Sequence, residues 1–295
     1  MSIKEHPPQH VPVLLDASLE LLCPKEGERY LDLTAGYGGH AKAFLDRTDN
    51  YLTACLVDRD SMAIEALHEF QAKGVRLMHD DFASAAGTLV AEQQTFDVIL
   101  VDLGVSSPQL DYGARGFSFM RDGPLDMRMD NRQELTAEQY VNTVKLDSLV
   151  DIIRKYGEEP LGVARRYAKA IVDARPLHTT GQLAEVIRQV HVGKWQKIHP
   201  ATRTFQAIRI EVNQELRQIE ELLPLLPALL NKGGRVGIIS FHSLEDRLIK
   251  RFFAEQQSAG YEAELQLVNK KPRSGHEDDH NPRSRSAKLR VAVKI

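Results

Sequence analysis

Three short segments carry residue types suited to chemistry. The first, Leu31-Asp-Leu-Thr-Ala-Gly-Tyr-Gly-Gly-His40, sets an acid before a glycine-rich turn. Glycines permit a tight turn and let a ligand approach the backbone closely. The second is Asp58, nineteen residues past Gly39, a carboxylate placed to accept hydrogen bonds from ribose hydroxyls. The pair points to a ligand containing adenosine. The spacing Gly36-x-Gly38-x-x-Ala41 also fits a dinucleotide fingerprint, so spacing alone leaves NAD and S-adenosylmethionine both open. Three features favour the sulfonium compound. Asp32 can face a cationic amino-acid moiety, which a dinucleotide lacks. His79-Asp-Asp-Phe82 offers an acid and an aromatic to flank an adenine, although core packing is the commoner fate of a single Phe. The third segment follows Asp102 and runs Gly104-Val-Ser-Ser-Pro-Gln109, and the chain shows no hydride-handling constellation.

Ser106, Ser107 and Pro108 are the residues this third segment offers to catalysis. An aryl amine is a poor nucleophile because its lone pair is delocalised into the ring. Acceptors on its two N–H groups favour a pyramidal nitrogen whose lone pair can meet a methyl group. A proline disfavours helical backbone in the residue before it, which would aim the carbonyl of Ser107 at such an amine. Asp102 or a serine hydroxyl would supply the second acceptor, and alignment would supply most of the remaining rate. Methylation at a ring carbon instead needs a cysteine nucleophile. Cys23 precedes the first strand and Cys55 lies inside the second, so neither reaches this segment.

The elements that must position these groups are legible as an alternation. Strands are expected at Tyr30–Leu33, Leu52–Asp58, Val75–Met78, Phe96–Asp102 and Gly233–Ser240, with helical stretches between the first four. That pattern argues for a parallel sheet with right-handed crossovers. Leu103 to Arg132 reads as a long ordered loop, rich in Gly, Pro, Asp and Arg. Helices follow over 148–156, 162–174 and 180–192, and one more over 204–223. Thr136-Ala-Glu-Gln139 has the form of a capping box, and Thr180 is read as opening its helix. The expected organisation is an α/β domain over 1–117 and 205–295, interrupted by a helical domain over 118–204. Lys270 to Ser286 is the one stretch expected to be mobile.

The net charge of −3 hides an uneven distribution. Residues 1–130 hold 11 basic and 21 acidic side chains, whereas 154–209 hold 11 and 4, and 265–295 hold 8 and 3. An acidic half suits a small cation and basic segments suit a polyanion. Arg115, Arg121, Arg128, Arg165, Arg166, Lys169, Lys194, Lys197, Arg203, Arg283, Arg285, Lys288 and Arg290, with Trp195, would form the basic surface. Asp122, Asp126 and Asp130 read as partners of loop arginines rather than a metal site, and no His/Cys cluster has zinc-ligand spacing. The apolar run Leu222–Asn231 is too short for a membrane span and holds two prolines. With no apolar signal core at the start, a cytoplasmic protein without membrane or metal is expected.

Longer motifs add a resemblance. Asp102-Leu-Gly-Val-Ser-Ser-Pro-Gln-Leu110 and Arg115-Gly-Phe-Ser-Phe-Met-Arg-Asp-Gly-Pro-Leu-Asp-Met-Arg-Met-Asp130 resemble the signature of the bacterial 16S rRNA cytosine-N4-methyltransferase family. So do His199-Pro-Ala-Thr-Arg-Thr-Phe-Gln206, Ser240-Phe-His-Ser-Leu-Glu-Asp-Arg247, Asn281-Pro-Arg-Ser-Arg-Ser-Ala-Lys-Leu-Arg290 and His10-Val-Pro-Val-Leu-Leu15. The resemblance spans nearly the whole chain. It implies a class I methyltransferase (Rossmann-like) sheet with an inserted helical domain. It also implies S-adenosylmethionine as cofactor, bound at Gly38, Gly39, His40, Asp58, Phe82, Asp102 and Gln109. The implied substrate is the N4 amine of a decoding-centre cytidine in 16S rRNA of the small ribosomal subunit, and a homodimer is compatible with this. The chain departs from its relatives in having Leu-Thr-Ala before Gly36, where a Gly-Thr-aromatic run is common. It departs from wider amino-methyltransferases in having Gln109 where an aromatic would stack on the base. Phe117 or Phe119 is expected to take that role, with Arg121, His242, Arg283 and Arg285 as further substrate contacts. For His242 a structural hydrogen bond is an equal reading. A non-catalytic RNA-binding assembly factor and a DNA amino-methyltransferase are the alternatives.

Overall fold

A computed structural model describes residues 12–193, 199–277 and 281–295. In chain order its first elements are α1 (Leu15–Leu22), β1 (Tyr30–Asp32), α2 (Gly39–Thr48), β2 (Cys55–Asp58), α3 (Ser61–Gln71), β3 (Arg76–His79), α4 (Phe82–Ala91) and β4 (Phe96–Asp102). Next come α5 (Ser107–Asp111), α6 (Ala137–Thr143), α7 (Leu146–Lys155), α8 (Leu161–Asp173), α9 (Thr180–Val190) and α10 (Thr202–Asn213). The chain closes with α11 (Glu215–Leu222), α12 (Leu226–Leu229), β5 (Leu230–Ser240), α13 (Ser243–Ser258), β6 (Leu265–Leu267), β7 (Arg273–Ser274) and β8 (Lys288–Lys294). It forms two compact units, residues 1–104 with 216–295, and residues 105–215.

The first unit is built on one sheet of order β3-β2-β1-β4-β5-β8-β6, with β7 pairing β8. Strands β1 to β5 are parallel, and β8 runs antiparallel to β5. The order reverses between β1 and β4, which is where open α/β sheets bind ligands. Because the strands are parallel, Asp32, Asp58, His79, Asp102 and Ser240 all end on one edge. The register pairs Leu31 with both Cys55 and Ile99, and Ile99 with Val236. These side chains are apolar because helices cover both faces of such a sheet. Leu31, Ile99 and Val236 pack with Leu89 and Leu226, whereas Tyr30, Leu56 and Leu100 pack with Phe44 and Leu67. The Tyr30 and Phe44 rings stack at 4.8 Å.

The second unit is helical around its own core, and it is wider than 118–204. Phe117, Leu125, Met127 and Met129 pack with Phe205, Ile208 and Val212, so both flanks of the insertion belong to it. The polar clamp is Asn213, which accepts from Met129 N and donates to Met127 O and Arg209 O. Alternation of strand and helix carries no information about where an insertion's own core ends, so the boundaries at 117/118 and 204/205 fall inside it. The loop after Leu103 is also more regular than its composition suggests, holding α5 and a 3-10 turn at Gly113–Arg115. The expected 204–223 helix is two helices, parted at Gln214, whose φ of 51 ends α10. Thr136 and Gln139 form the capping box as read, and Thr180 opens α9 as read, with Thr179 and Gln182 forming a second capping box there. Strand β2 begins only at Cys55, since Leu52 lies out in solvent.

Candidate active site

The edge of the first unit is shaped by its glycine turn. Gly36 and Gly38 sit at φ 53 and 81, and a Cβ on Gly38 would stand 2.6 Å from the Phe70 ring. A Cβ on Gly39 would stand 2.6 Å from Pro12. Asp58 holds the turn in place: its Oδ2 accepts from Gly36 N at 2.7 Å, and its Oδ1 from Asp60 N at 2.8 Å. Its carboxyl is pushed up by burial, an effect those two hydrogen bonds oppose. Asp32 does not point outward as a lone anion. It is 1% exposed and accepts from the Tyr30 hydroxyl at 2.8 Å and from Thr34 N at 3.1 Å. Burial pushes it up to about 7.

Asp102 ends β4 beside these acids. Its N–H donates to Thr34 Oγ1 at 2.6 Å, which ties the ends of β1 and β4 together. Its Oδ2 lies 3.6 Å from His40 Nδ1, and its Oδ1 is buried with no hydrogen-bond partner among the described residues. Burial, then the fields of Asp32 and Glu245, push this carboxyl well above the usual range. His40 is itself buried, with Nε2 3.1 Å from Val13 O. Glu245 accepts from Phe241 N and His242 N, while His242 Nδ1 accepts from Glu245 N as the cap of α13. That geometry favours the structural reading of His242. Sequence reasoning passed over Thr34 and Glu245; an acid three residues after a capping side chain is the signature that would have found Glu245.

Phe82 opens α4 and lies in the core, 8% exposed, while Asp81 caps that helix. In the second unit, Ser106 is the cap of α5, forming a reciprocal box with Gln109, whose Oε1 accepts from Ser106 N. Ser107 is therefore the first helical residue and Pro108 the second. Proline fits the first turn of a helix, where N–H groups lack partners anyway, so its effect on the preceding residue does not hold Ser107 extended. The extended backbone belongs to Ser106, at φ −71 and ψ 155. Phe117 is 7% exposed in the helical core, which removes it as a base-stacking surface. Phe119 packs against His199 and Phe205 at ring distances of 4.7 and 5.0 Å.

The basic set divides in the same way. Arg115 is buried and donates to Arg128 O and Met129 O, and Arg290 is buried against Asp246, which Lys288 also pairs. Arg121 donates to Asp111 O. Arg128 and Arg132 pair with Asp126 and Asp130, whereas Asp122 accepts from Gly181 N at the start of α9. Lys169 pairs with Asp173 and Arg203 with Glu159, while Arg165 and Arg285 are exposed. The side chain of Arg283, and Lys194, Trp195 and Lys197, lie outside the described residues, as do His10 and Val11.

Sheet order, glycine turn and the acids ending β1, β2 and β4 define a class I methyltransferase, and the site fits S-adenosylmethionine. The turn leaves room for nothing larger than hydrogen at Gly38 and Gly39, Asp58 keeps acceptor capacity beyond its two backbone donors, and the buried Asp102 Oδ1 has no donor among the described residues. The chain belongs to the MraW methylase family, which it matches over residues 8–295. It is 46% identical over 293 residues to the Ribosomal RNA small subunit methyltransferase H of Cyanothece sp., covering 97% of this chain and 95% of that one. It is 44% identical over 308 residues to the protein of that name from Rickettsia massiliae, covering 97% and 98%. Among solved structures it is similar to an rRNA methylase from Streptococcus thermophilus, at a TM-score of 0.41 and 10% identity over 95% of this chain and 93% of that one. No helix among the described residues is long and apolar enough to cross a membrane.

The buried acids couple cofactor binding to protons. A cation entering this edge favours ionised carboxylates, so it lowers the proton affinity of Asp32, now about 7, and of Asp102. Binding of S-adenosylmethionine therefore releases protons, and affinity rises with pH through neutrality by at most about tenfold per pH unit for each proton released. Calorimetric titration at pH 6.5 in two buffers of different ionisation enthalpy reads the proton count directly. Identical heats in both buffers would contradict the expectation.

Proposed function

We propose that this protein transfers the methyl group of S-adenosylmethionine to the N4 amine of a cytidine in 16S ribosomal RNA. The observation that carries the reading is Asp102: a half-buried carboxylate at the end of β4, whose Oδ1 is buried and is satisfied by no described group. An acceptor of this kind suits an exocyclic amine, which brings donors. The names of the curated relatives supply the rRNA class, and the basic excess of the helical segment suits a polyanion.

When bound, the cofactor supplies an electrophilic methyl group. Asp102 Oδ1 accepts one amine N–H and turns the nitrogen lone pair towards that methyl. The second acceptor is assigned to Ser106, Ser107 or Pro108 on chain continuity alone, as this segment begins four residues past Asp102. The other partners, Gly38 and Gly39 through their backbone with His40, Asp58 and Phe82 for the cofactor, and Phe119, Arg121, Arg283 and Arg285 for the RNA, belong to the same proposal. Gln109 stays within it through its backbone, its side-chain oxygen being engaged by Ser106 N. The methylated nitrogen is acidic and loses its proton to water, so no dedicated base is required. Mass spectrometry of small-subunit rRNA from cells lacking this protein tests the reading. Loss of N4-methylation at one cytidine is expected, and an unchanged nucleoside inventory would overturn it.

A further inference from the structure

Open aromatic rings hold single-stranded nucleic acid by stacking on its bases, largely without regard to sequence. Among the described residues the exposed aromatic side chains are Tyr37, Tyr112 and Tyr261. Tyr37 belongs to the glycine turn, and Tyr261 lies in a 3-10 turn after α13, beside Glu262. Tyr112 is 53% exposed and lies in the second unit, on the segment that carries Ser106 to Pro108. In the same unit Phe117 is buried, and Phe119 shares its ring with His199 and Phe205.

A surface tyrosine alone is ordinary. The setting of Tyr112 is not. Its N–H donates to Pro108 O and its carbonyl accepts from Arg115 N, each at 3.0 Å, so both backbone groups are tied and the residue closes α5 one turn past Pro108. The backbone that follows has no slack. A Cβ on Gly123 would stand 2.0 Å from Gly113 O, and one on Gly113 would stand 3.2 Å from Asp122 O. A ring with two free torsions on a fixed backbone loses little entropy when a base covers it. A cation is held at the same place. Arg121 Nη1 donates at 2.7 Å to the carbonyl of Asp111, the residue before Tyr112. A guanidinium has five N–H donors, so the others can meet a phosphate. The neighbouring Asp122 is engaged by the start of α9, accepting from Gly181 N at 2.7 Å.

We infer that Tyr112 stacks on a base of single-stranded rRNA other than the methylated cytidine, with Arg121 on an adjacent phosphate. The inference rests on the rRNA reading for its ligand. An open ring covers one face of a base and leaves its edges unread, which suits a neighbour in the strand. A base held for chemistry has to be enclosed, with its amine presented to an acceptor. Tyr112 therefore supplies grip on the strand, and the choice of nucleotide lies elsewhere.

The probe is a short fluorescein-labelled oligoadenylate, which holds no cytidine and so reports grip without methylation. By anisotropy, Tyr112→Ala should bind it at least about fivefold more weakly than the parent, the lower end for one stacked base. Tyr112→Phe should stay within about twofold, because the ring and not the hydroxyl stacks. The slope of log affinity against log salt should be the same for the parent and Tyr112→Ala, since a ring neutralises no phosphate. Arg121→Ala should flatten that slope by about 0.7, the value for one phosphate on a single strand. With small subunits carrying unmethylated rRNA, kcat/KM should fall in Tyr112→Ala by a factor similar to the loss in binding. It should hold in Tyr261→Ala, which removes an exposed ring of the first unit. Parental oligoadenylate affinity in Tyr112→Ala, or an equal loss in Tyr112→Phe, overturns the inference even if the enzyme methylates cytidine as proposed. So does a fall in kcat/KM with oligoadenylate binding intact, which would set the ring against a ribosomal protein. Should no preparation methylate cytidine, the substrate reading fails, and the anisotropy series still decides the stacking.

Discussion

Asp102→Asn will lower kcat by about 10²–10³-fold, roughly 3–4 kcal/mol of transition-state stabilisation, while the protein melts at a higher temperature than the parent. The two effects have opposite signs for one reason. Asp102 is half-buried, and desolvation together with the fields of Asp32 and Glu245 holds its carboxyl well above the usual range. A group whose folded pKa is raised contributes stability only while it is protonated, and that contribution is lost as pH rises from the unfolded towards the folded value. At neutral pH the acid therefore works against folding, and the isosteric amide removes the conflict. The amide accepts a hydrogen bond more weakly and cannot carry the charge that the amine's developing cation favours. Single-turnover rates with saturating cofactor, set beside thermal melts at pH 7.5, give both signs. A variant that turns over at the parental rate, or melts lower, contradicts the role assigned to Asp102.

Gly38→Ala is expected to lower affinity for S-adenosylmethionine by more than about tenfold and to cost the fold about 2–5 kcal/mol. Two strains add. A left-handed backbone costs a residue with a Cβ about 1–2 kcal/mol, and forcing extra volume into a packed core costs about 1–3 kcal/mol. Gly38 has φ 81, and the added carbon would meet Phe70 at 2.6 Å and Leu67 at 3.3 Å, both buried ring or branched side chains under the turn. Relief can come only by moving the turn, which carries the Gly36 N–H away from Asp58 Oδ2. Gly27 supplies the control: it has φ 82 with nothing within 4 Å of the added carbon, so Gly27→Ala reports the backbone term alone. Urea denaturation and cofactor titration of the two variants should separate the terms. Equal stability in both would show that the packing under the turn does not hold it.

What the sequence made legible was set by local periodicity and by punctuation. The glycine turn, Asp58 and Asp102 were readable because strand ends and glycines are local signals, and the sheet follows from the alternation that produces β1 to β5. The antiparallel β8, which pairs β5 along Arg235 to Ser240, has no comparable local mark. The helical unit's limits were misplaced because Met127, Met129 and Val212 are claimed by a core that only the folded chain assembles. The same holds for function assigned by residue type. Phe117, Arg115 and Arg290 looked like RNA contacts, but each is buried and engaged inside its own unit. Ser107 was misread because a proline restricts its predecessor on average, and the Ser106–Gln109 box overrides that preference here. Motif matching gave the cofactor edge its residues. It gave no hint that the His40 side chain turns toward Asp102, since that depends on where Val13 O lies.

The central claim is chemical: an amino nitrogen of a cytidine, presented to Asp102, receives the methyl group. The purified protein with S-adenosylmethionine tritiated in the methyl group, given small subunits from cells that lack it, tests this directly. After complete digestion, the label should be recovered as N4-methylcytidine at one position and should disappear with Asp102→Asn. Label in 5-methylcytidine or in a ribose methyl, or undiminished transfer by Asp102→Asn, would contradict the account.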